Sequence, residues 1–188
     1  MVIRSILPLI ILSIFLSCKN EPSKKVGEKV VMEESYDPEA NLSALGIELR
    51  PIGTPVANYV HVVRTGNLLF LAGKGPRQVN GENIVGKLGL DLSVEEGYNA
   101  AREAGINQLS VLKEELGDLR KVKRIVNVKG MVNAVAEFTD HSKVINGYSD
   151  LMVEVFGEKG KHSRAAVGMG SLPGNMAVEV EMVVEVYE

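Results

Sequence analysis

The sequence predicts an α+β fold, a mixed β-sheet with two helices packed on one of its faces. The first reason is the order of the predicted elements from Asn58 onward, ββαβαββ, in which strands alternate with amphipathic helices. The second is the last predicted strand, in which apolar residues alternate with charged ones as in a half-buried strand. Its apolar residues are Val178, Val180, Met182, Val184 and Val186. The other sheet face is left without helices, and oligomerisation is the usual way to cover such a face.

Residues 1–17 are predicted to be a secretory signal peptide. The segment has a basic start, an apolar core from Ile6 to Leu16 and the small residue Ser17 at its end, and it is short for a membrane span. Phe15-Leu16-Ser17-Cys18 resembles the lipobox of bacterial lipoproteins, in which the cysteine is lipidated. We therefore expect export to the periplasm or cell envelope, with membrane attachment only through a lipid on Cys18. A plain signal peptide and a buried N-terminal helix with a free thiol are the alternatives.

The rest of the chain is divided into a tether and a domain. Residues 18–36 are rich in Lys, Glu, Ser and Gly and are predicted to be flexible. Residues 37–188 are predicted to form one globular domain, which suits a chain of 188 residues that is 45% hydrophobic. The domain is expected to begin with a short helix that has Asp37 as its N-cap and Pro38 at its first position.

The first two strands are predicted to form a hairpin. Residues 59–65 and 68–73 are β-prone, and Gly66-Asn67 between them is typical of a tight turn. Residues 74–90 are rich in glycine and have no helical period, so they are predicted to form a loop, with a small ribbon turning at Asn80-Gly81.

Two helices are predicted on either side of a long strand. Ser93 and Glu96 have the spacing of a capping box, and the helix that they open is expected to end at Gly117. Residues 122–134 are predicted to form the strand, and residues 138–156 the second helix.

The C-terminal segment is predicted to be a second hairpin. Residues 164–171 and 178–186 are extended runs, and residues 172–175 between them have the composition of a turn. A hairpin centred on that turn places Arg164 opposite Val183.

In this predicted hairpin Arg164 shares a face with three carboxylates, those of Glu179, Glu181 and Glu185. The face is either a solvated surface with ordinary salt bridges or a site for a small anion, in which Arg164 holds a carboxylate and a glutamate activates water. Glu179 is four residues from the position opposite Arg164, which is about 13 Å along the strand. One small ligand cannot span that distance within a chain, so a shared site has to lie between subunits.

The composition argues against two classes of function. The formal net charge is −3, tryptophan is absent and aromatic residues make up 5% of the chain, so we expect no nucleic-acid partner. The three histidines, His61, His141 and His162, are dispersed, and no His/Cys cluster has the spacing of metal ligands, so we expect no metal site.

The C-terminal segment resembles the signature of the RidA/YjgF family, also called L-PSP endoribonuclease-like proteins. That family ends with an Arg, then Leu-Pro, then a Val-Glu-Val-Glu strand, and these are matched by Arg164, Leu172-Pro173 and residues 178–181. The resemblance extends from about Asn58 to the C-terminus.

Other positions match the family in part. The early Tyr of the family corresponds to Tyr59, and the Asn of its second helix corresponds to Asn146. Its Ser-Gly-Gln at the end of the second strand is replaced by Ala72-Gly73-Lys74, which removes a hydroxyl and introduces a charge. The cysteine that many members carry after the Arg is Ala166.

The resemblance implies a chorismate-mutase-like fold and a homotrimer with clefts between subunits. It also implies hydrolysis of 2-imino acids to 2-oxo acids and ammonia without a metal or other cofactor. Arg164 would hold the substrate carboxylate, Glu179 would hold or activate water, and the pocket would be lined by Tyr59, Ala72, Gly73 and Asn146.

Three functions stay open at the level of the sequence. The first is a 2-iminoalkanoate (enamine/imine) deaminase. The second is an envelope protein that binds a small carboxylate or imino acid without turnover, which the departures at Ala72, Lys74 and Ala166 and the predicted export favour. The third is an endoribonuclease, which the acidic composition disfavours.

Overall fold

The computed structural model of the protein describes residues 36–188. The predicted signal peptide, the lipidation site at Cys18 and nearly all of the predicted tether lie outside the described residues. Within the part that is described, no helix combines the length and the apolar character needed to cross a membrane.

The helices and strands follow one another in the predicted order, ββαβαββ, behind a short N-terminal helix. They are α1 (Pro38–Ala44), β1 (Val62–Thr65), β2 (Leu68–Lys74), α2 (Val94–Leu116), β3 (Val122–Asn133), α3 (His141–Phe156), β4 (Ser163–Met169) and β5 (Val178–Val186). Short 3₁₀ turns lie at Leu119–Lys121, Gly157–Gly160 and Pro173–Asn175. The predicted fold class, a mixed sheet with helices packed on one face, is confirmed.

The strands form one mixed sheet in the order β1-β2-β5-β3-β4. The predicted first hairpin is confirmed, because β1 and β2 pair antiparallel on either side of Gly66, whose φ is 57°. The predicted C-terminal hairpin is wrong. β3 lies between β4 and β5 and pairs parallel with the first and antiparallel with the second.

Two features explain why β4 and β5 are not neighbours. β3 has 12 residues, and its Val128 and Val132 are fully buried, as expected of an interior strand. Helix α3 supplies the crossover that a parallel β3–β4 pair requires. After β4, the chain forms a 3₁₀ turn with Gly174 and Asn175 at φ values of 60° and 56°, and this turn directs it to the far side of β3 instead of back along β4.

Local signals in the sequence set the ends of α2. Ser93 and Glu96 form both halves of the capping box, and Gly117 ends the helix in the left-handed conformation. α3 begins at His141, three residues later than predicted, because Phe138 belongs to a turn that closes on the carbonyl oxygen of Val135.

α2 and α3 pack side by side on the sheet and bury most of the core. They approach most closely at Gly147 on α3, where a Cβ atom would collide with the carbonyl oxygen of Tyr98 on α2. Tyr148 and Leu151 are fully buried between the helices and the sheet.

The other face of the sheet carries apolar side chains that are open to solvent. Val63, Phe70 and Val183 lie level with one another on β1, β2 and β5. Val63 is 55% exposed and Phe70 is 45% exposed, and Val167 on β4 is 39% exposed. None of the helices in residues 36–188 covers this face, which is the arrangement that the sequence predicted.

Candidate functional site

The residues predicted to form a site fall into two groups in the structure. One group surrounds the C-terminal end of β2 and consists of Tyr59, Ala72, Gly73 and Glu179. The other lies at the opposite edge of the sheet and consists of Arg164 on β4 and Asn146 on α3.

A bulge at the end of β2 shapes the first group. The register of β2 against β5 shifts by one residue between Leu71 and Lys74. The amide of Gln108, fully buried on α2, fills the bulge and donates to the carbonyl oxygens of Ala72 at 3.1 Å and Val180 at 2.8 Å. Ala72 therefore contributes its backbone to this region, and its methyl group replaces the hydroxyl that the family places there.

Glu179 extends from β5 to this bulge. Its Oε1 atom lies so close to Gly73 that a Cβ atom at that position would collide with it. Burial and the neighbouring carboxylate of Glu181 raise the pKa of Glu179, against the opposing effects of Lys129 and Lys74. A carboxylate whose pKa is raised beside a cleft is suited to exchange a proton with a bound ligand or water.

A cleft of about 680 Å³ opens next to Gly73. Tyr59 and His61 form part of its wall, with their rings edge to face at a centroid distance of 6.2 Å. Arg50 and Arg77 also line the cleft. Arg50 forms an ion pair with Glu103 at 2.9 Å, whereas Arg77 has no carboxylate within 4 Å among the described residues and gives the cleft a positive character.

Lys74 contributes an amine to this cleft, at the position where the resemblance to the RidA/YjgF family leads to the expectation of an amide. Its Nζ atom lies 2.7 Å from Nδ1 of His61, and Nε2 of the same ring lies 2.7 Å from the carbonyl oxygen of Gly53. Since a carbonyl oxygen only accepts hydrogen bonds, Nε2 carries the proton and Nδ1 is the acceptor. Burial lowers the pKa of Lys74, and the nearby carboxylate of Glu179 opposes that effect.

Arg164 is held against α3 by three oxygen atoms. Its Nη1 donates to Oδ1 of Asn146 at 2.9 Å and to Oγ of Ser149 at 3.0 Å, and its Nη2 donates to the carbonyl oxygen of Ser142 at 3.5 Å. The Nε–H of Arg164 donates to none of the described residues. The guanidinium is thus fixed in place with one edge left for an acceptor.

His162 orients the group that holds Arg164. Its Nδ1 lies 2.7 Å from the carbonyl oxygen of Gly160, so Nε2 accepts from the hydroxyl of Ser149 at 3.0 Å. Burial lowers the pKa of His162, and the charge of Arg164 adds to that effect. A neutral His162 keeps Ser149 turned with its oxygen lone pair toward Arg164.

Arg164 and Glu179 do not share a face, contrary to the sequence prediction. Across the sheet Arg164 is level with Val128 on β3 and Met182 on β5, and both of these are buried under the helices. Glu179 is three residues from Met182 along β5, so its side chain points to the opposite face. Three residues and two strand spacings separate the two Cα atoms by about 14 Å. One small ligand cannot contact both side chains within a chain.

Sequence reasoning missed His61, Ser149 and His162 as site residues. No motif or spacing distinguishes them, because their roles come from contacts with residues that are distant in the chain or on another element. The one available signal was Lys74, a charged residue where the related family has an amide.

Comparisons with known proteins agree with this fold. The family model described as "YjgF/chorismate_mutase-like, putative endoribonuclease" matches residues 39–186. Protein TCP17 of Trypanosoma cruzi is 44% identical over 147 residues, which cover 78% of this chain and 92% of TCP17.

Two solved structures are also similar. The protein Atu1372 of Agrobacterium tumefaciens, described as having unknown function, is 40% identical with a TM-score of 0.73, over 79% of this chain and 93% of that one. A Shewanella oneidensis protein, described as a putative endoribonuclease, is 34% identical with a TM-score of 0.77, over 80% and 99% of the two chains. The matched region includes both groups of site residues, and the chain belongs to the YjgF/chorismate mutase-like family.

Proposed function

We propose that the protein hydrolyses 2-imino acids to 2-oxo acids and ammonia. The observation that carries the proposal is the fixed guanidinium of Arg164, held by Asn146, Ser149 and the backbone of Ser142 with its Nε edge unused by the described residues. An arginine fork that is already oriented binds a carboxylate with little loss of side-chain entropy. All 2-imino acids carry that carboxylate next to the reacting carbon.

Glu179 would supply the second function, the activation of water. Its raised pKa makes it a better base than an ordinary exposed glutamate, and its position beside Gly73 places it at the edge of the cleft. An iminium carbon is already electrophilic, so a positioned carboxylate and an oriented water are sufficient for hydrolysis. This chemistry requires no metal or other cofactor.

A homotrimer with sites between subunits would bring the two groups together. Arg164 and Glu179 are on opposite faces and about 14 Å apart in one chain, so a shared site needs Arg164 of one subunit and Glu179 of the next. The exposed apolar face around Val63 and Phe70 supplies a surface for such an assembly.

A second candidate function is binding of a small carboxylate without turnover. The cleft beside β2 is lined by two basic side chains without a carboxylate within 4 Å among the described residues, those of Lys74 and Arg77, and it has no hydroxyl at Ala72. Such a cleft favours anions even if no chemistry follows. Ribonuclease activity, named in the descriptions of relatives, is the third candidate and is disfavoured by the net charge of −3.

The test uses the full chain, purified in a non-ionic detergent, with 2-iminobutanoate generated in situ by an amino-acid oxidase. We expect 2-oxobutanoate to form faster than in the absence of the protein. Arg164→Ala should lower this rate at least about 100-fold, the size expected for loss of a charge-assisted clamp, and Arg164→Lys should also be poor because an ammonium cannot reproduce the fork. Arg64→Ala, on the exposed edge strand β1, is the matched control.

The alternatives give different results. Binding of 2-oxobutanoate that depends on Arg164, without any acceleration of imine hydrolysis, would replace the enzyme with the binding protein. If the protein cleaves a single-stranded RNA and the Arg164→Ala variant keeps that activity, the result would favour the ribonuclease. An equal loss of imine hydrolysis in Arg164→Ala and Arg64→Ala would show that the loss does not depend on the carboxylate clamp.

A further inference from the structure

The surroundings of the Lys74 amine differ from those of a lysine in a structural ion pair and from those of a solvated surface lysine. It faces a cleft of about 680 Å³, and its one hydrogen-bond partner among the described residues is a ring nitrogen, Nδ1 of His61 at 2.7 Å. The ring is held in the accepting tautomer by the carbonyl oxygen of Gly53. No ion pair within 4 Å joins Lys74 to a carboxylate in residues 36–188, although Glu179 is near enough to affect its charge state.

We propose that Lys74 is a nucleophile that captures 2-imino and 2-oxo acids as a Schiff base on its Nζ atom. The inference deepens the proposed function, on which its role in turnover rests, and it names an additional catalytic residue in the same site. The substrate class is a small 2-imino or 2-oxo acid whose carbon 2 can reach the end of a lysine side chain in the cleft.

His61 prepares the amine for attack. A lysine attacks a carbonyl or iminium carbon only as the free amine, so its ammonium must first lose a proton. Nδ1 of His61 lies in hydrogen-bond contact with Nζ and is available to accept that proton. Partial burial of Lys74 lowers its pKa and favours the same neutral state, against the opposing effect of the Glu179 carboxylate.

The steps balance without an oxidant or reductant. The Lys74 amine adds to carbon 2 of the protonated imino acid. A proton then passes from the lysine nitrogen to the original nitrogen, and the bond between that nitrogen and carbon 2 breaks, which releases ammonia and leaves the protonated Lys74 Schiff base. Water adds to this Schiff base, and the lysine amine leaves as the 2-oxo acid forms. Glu179, beside Gly73, is placed to take the proton from that water and to return one to the departing amine.

Schiff-base formation from a 2-oxo acid, which is the reverse of the hydrolysis step, provides a direct test. The full chain in non-ionic detergent is incubated with 2-oxobutanoate and sodium cyanoborohydride, which reduces a Schiff base to a stable secondary amine. Peptide mass spectrometry then locates the reduced adduct. We expect Lys74 to be labelled at least about tenfold faster than Lys143, an exposed lysine on α3. Lys74→Arg, which keeps the charge but forms no Schiff base, should lose the fast label, and Lys143→Arg should keep it.

Imine hydrolysis by the same preparations separates this inference from the proposed function. Hydrolysis that proceeds without a fast label on Lys74 overturns the Schiff base and leaves the deaminase in place. A fast Lys74 label without hydrolysis supports the capture of 2-oxo acids and overturns the deaminase. Labelling of Lys74 and Lys143 at equal rates overturns the inference, because it shows an ordinary surface amine.

Discussion

Glu179 on β5 lies against Gly73 on β2, with its Oε1 atom in the space that a Cβ atom at residue 73 would occupy. The contact occurs where β2 bulges and the cleft opens, so it places a carboxylate beside the cleft instead of in the solvent above the sheet. A side chain at residue 73 would push the carboxylate aside while leaving the backbone of both strands free to pair. The effect of the position of the Glu179 carboxylate on activity can therefore be tested separately from the stability of the fold.

Gly73→Ala is expected to lower imine hydrolysis at least about tenfold with little loss of stability. The new methyl group meets the flexible end of Glu179 and not the backbone, so the strands keep their register and the carboxylate turns away. The measurement is the initial rate together with the melting temperature. Gly170→Ala is the matched control, because a Cβ atom there meets nothing within 4 Å and Gly170 belongs to neither group of site residues. Equal rates in the two variants would remove Glu179 from the reaction.

Phe70→Glu is expected to dissociate the proposed trimer. Phe70 is 45% exposed on the open sheet face, between Val63 and Val183, and a carboxylate buried there by assembly would lack a partner. Light scattering after size exclusion gives the mass directly. Leu90→Glu, which replaces a residue that is 72% exposed in a loop away from the strands, should leave the assembly unchanged. A wild-type monomer, or a Phe70→Glu trimer, would contradict a trimer built on this face.

Much of the fold could be predicted because its signals are local. The capping box at Ser93 and Glu96, the turn at Gly66 and the α2 end at Gly117 depend on residues a few positions apart. Strand neighbours are not local. Two adjacent runs joined by turn residues favour a hairpin, and the preference of β3 for the interior position between β4 and β5 emerges only when the whole sheet is assembled.

That error in strand order had a consequence for the candidate site. It placed Arg164 and Glu179 on one face, whereas the inserted strand puts Arg164 under the helices and Glu179 on the open side. The two side chains still cannot contact one small ligand within a chain, because they lie on opposite faces of the sheet. The partners of Arg164 and Lys74, among them Ser149 and His61, could not be predicted from spacing, because each is set by tertiary packing.

Cys18→Ala is expected to release the protein from membranes. The segment Phe15-Leu16-Ser17-Cys18 resembles a lipobox, and a lipid on Cys18 would be the attachment to the membrane. Expressed in a bacterial host, the wild-type chain should enter the detergent phase in a detergent-partition experiment, and the variant should stay in the aqueous phase. Equal partition of the two would contradict the lipoprotein hypothesis.

Lys129→Met is expected to move the acid limb of the pH–rate profile to higher pH. The proposed reaction requires Glu179 as the carboxylate, whose pKa is raised by burial and Glu181 and lowered by Lys129 and Lys74. Removing one of the two cations raises that pKa further, so the rate falls at a higher pH on acidification. The alkaline limb serves as the internal reference. A profile that shifts to lower pH, or does not move, would exclude Glu179 as the titrating base.

Glu179→Gln is expected to lose turnover and gain stability. The amide cannot accept a proton from water, so kcat should fall at least about 100-fold while binding of 2-oxobutanoate changes little.

The pKa of Glu179 is raised above its ordinary value of 4.5 in the folded state, so folding disfavours the carboxylate, and stability falls as pH rises through the folded pKa. At pH 7 the wild type carries that penalty and the amide does not. Because the side chain is half-buried and screened, the gain in melting temperature should be about 1–3 °C. The difference should vanish well below pH 4.5, the ordinary pKa, because Glu179 is then protonated in both the folded and the unfolded state. A variant that is less stable at pH 7, or equally changed at both pH values, would show that Glu179 is a structural residue.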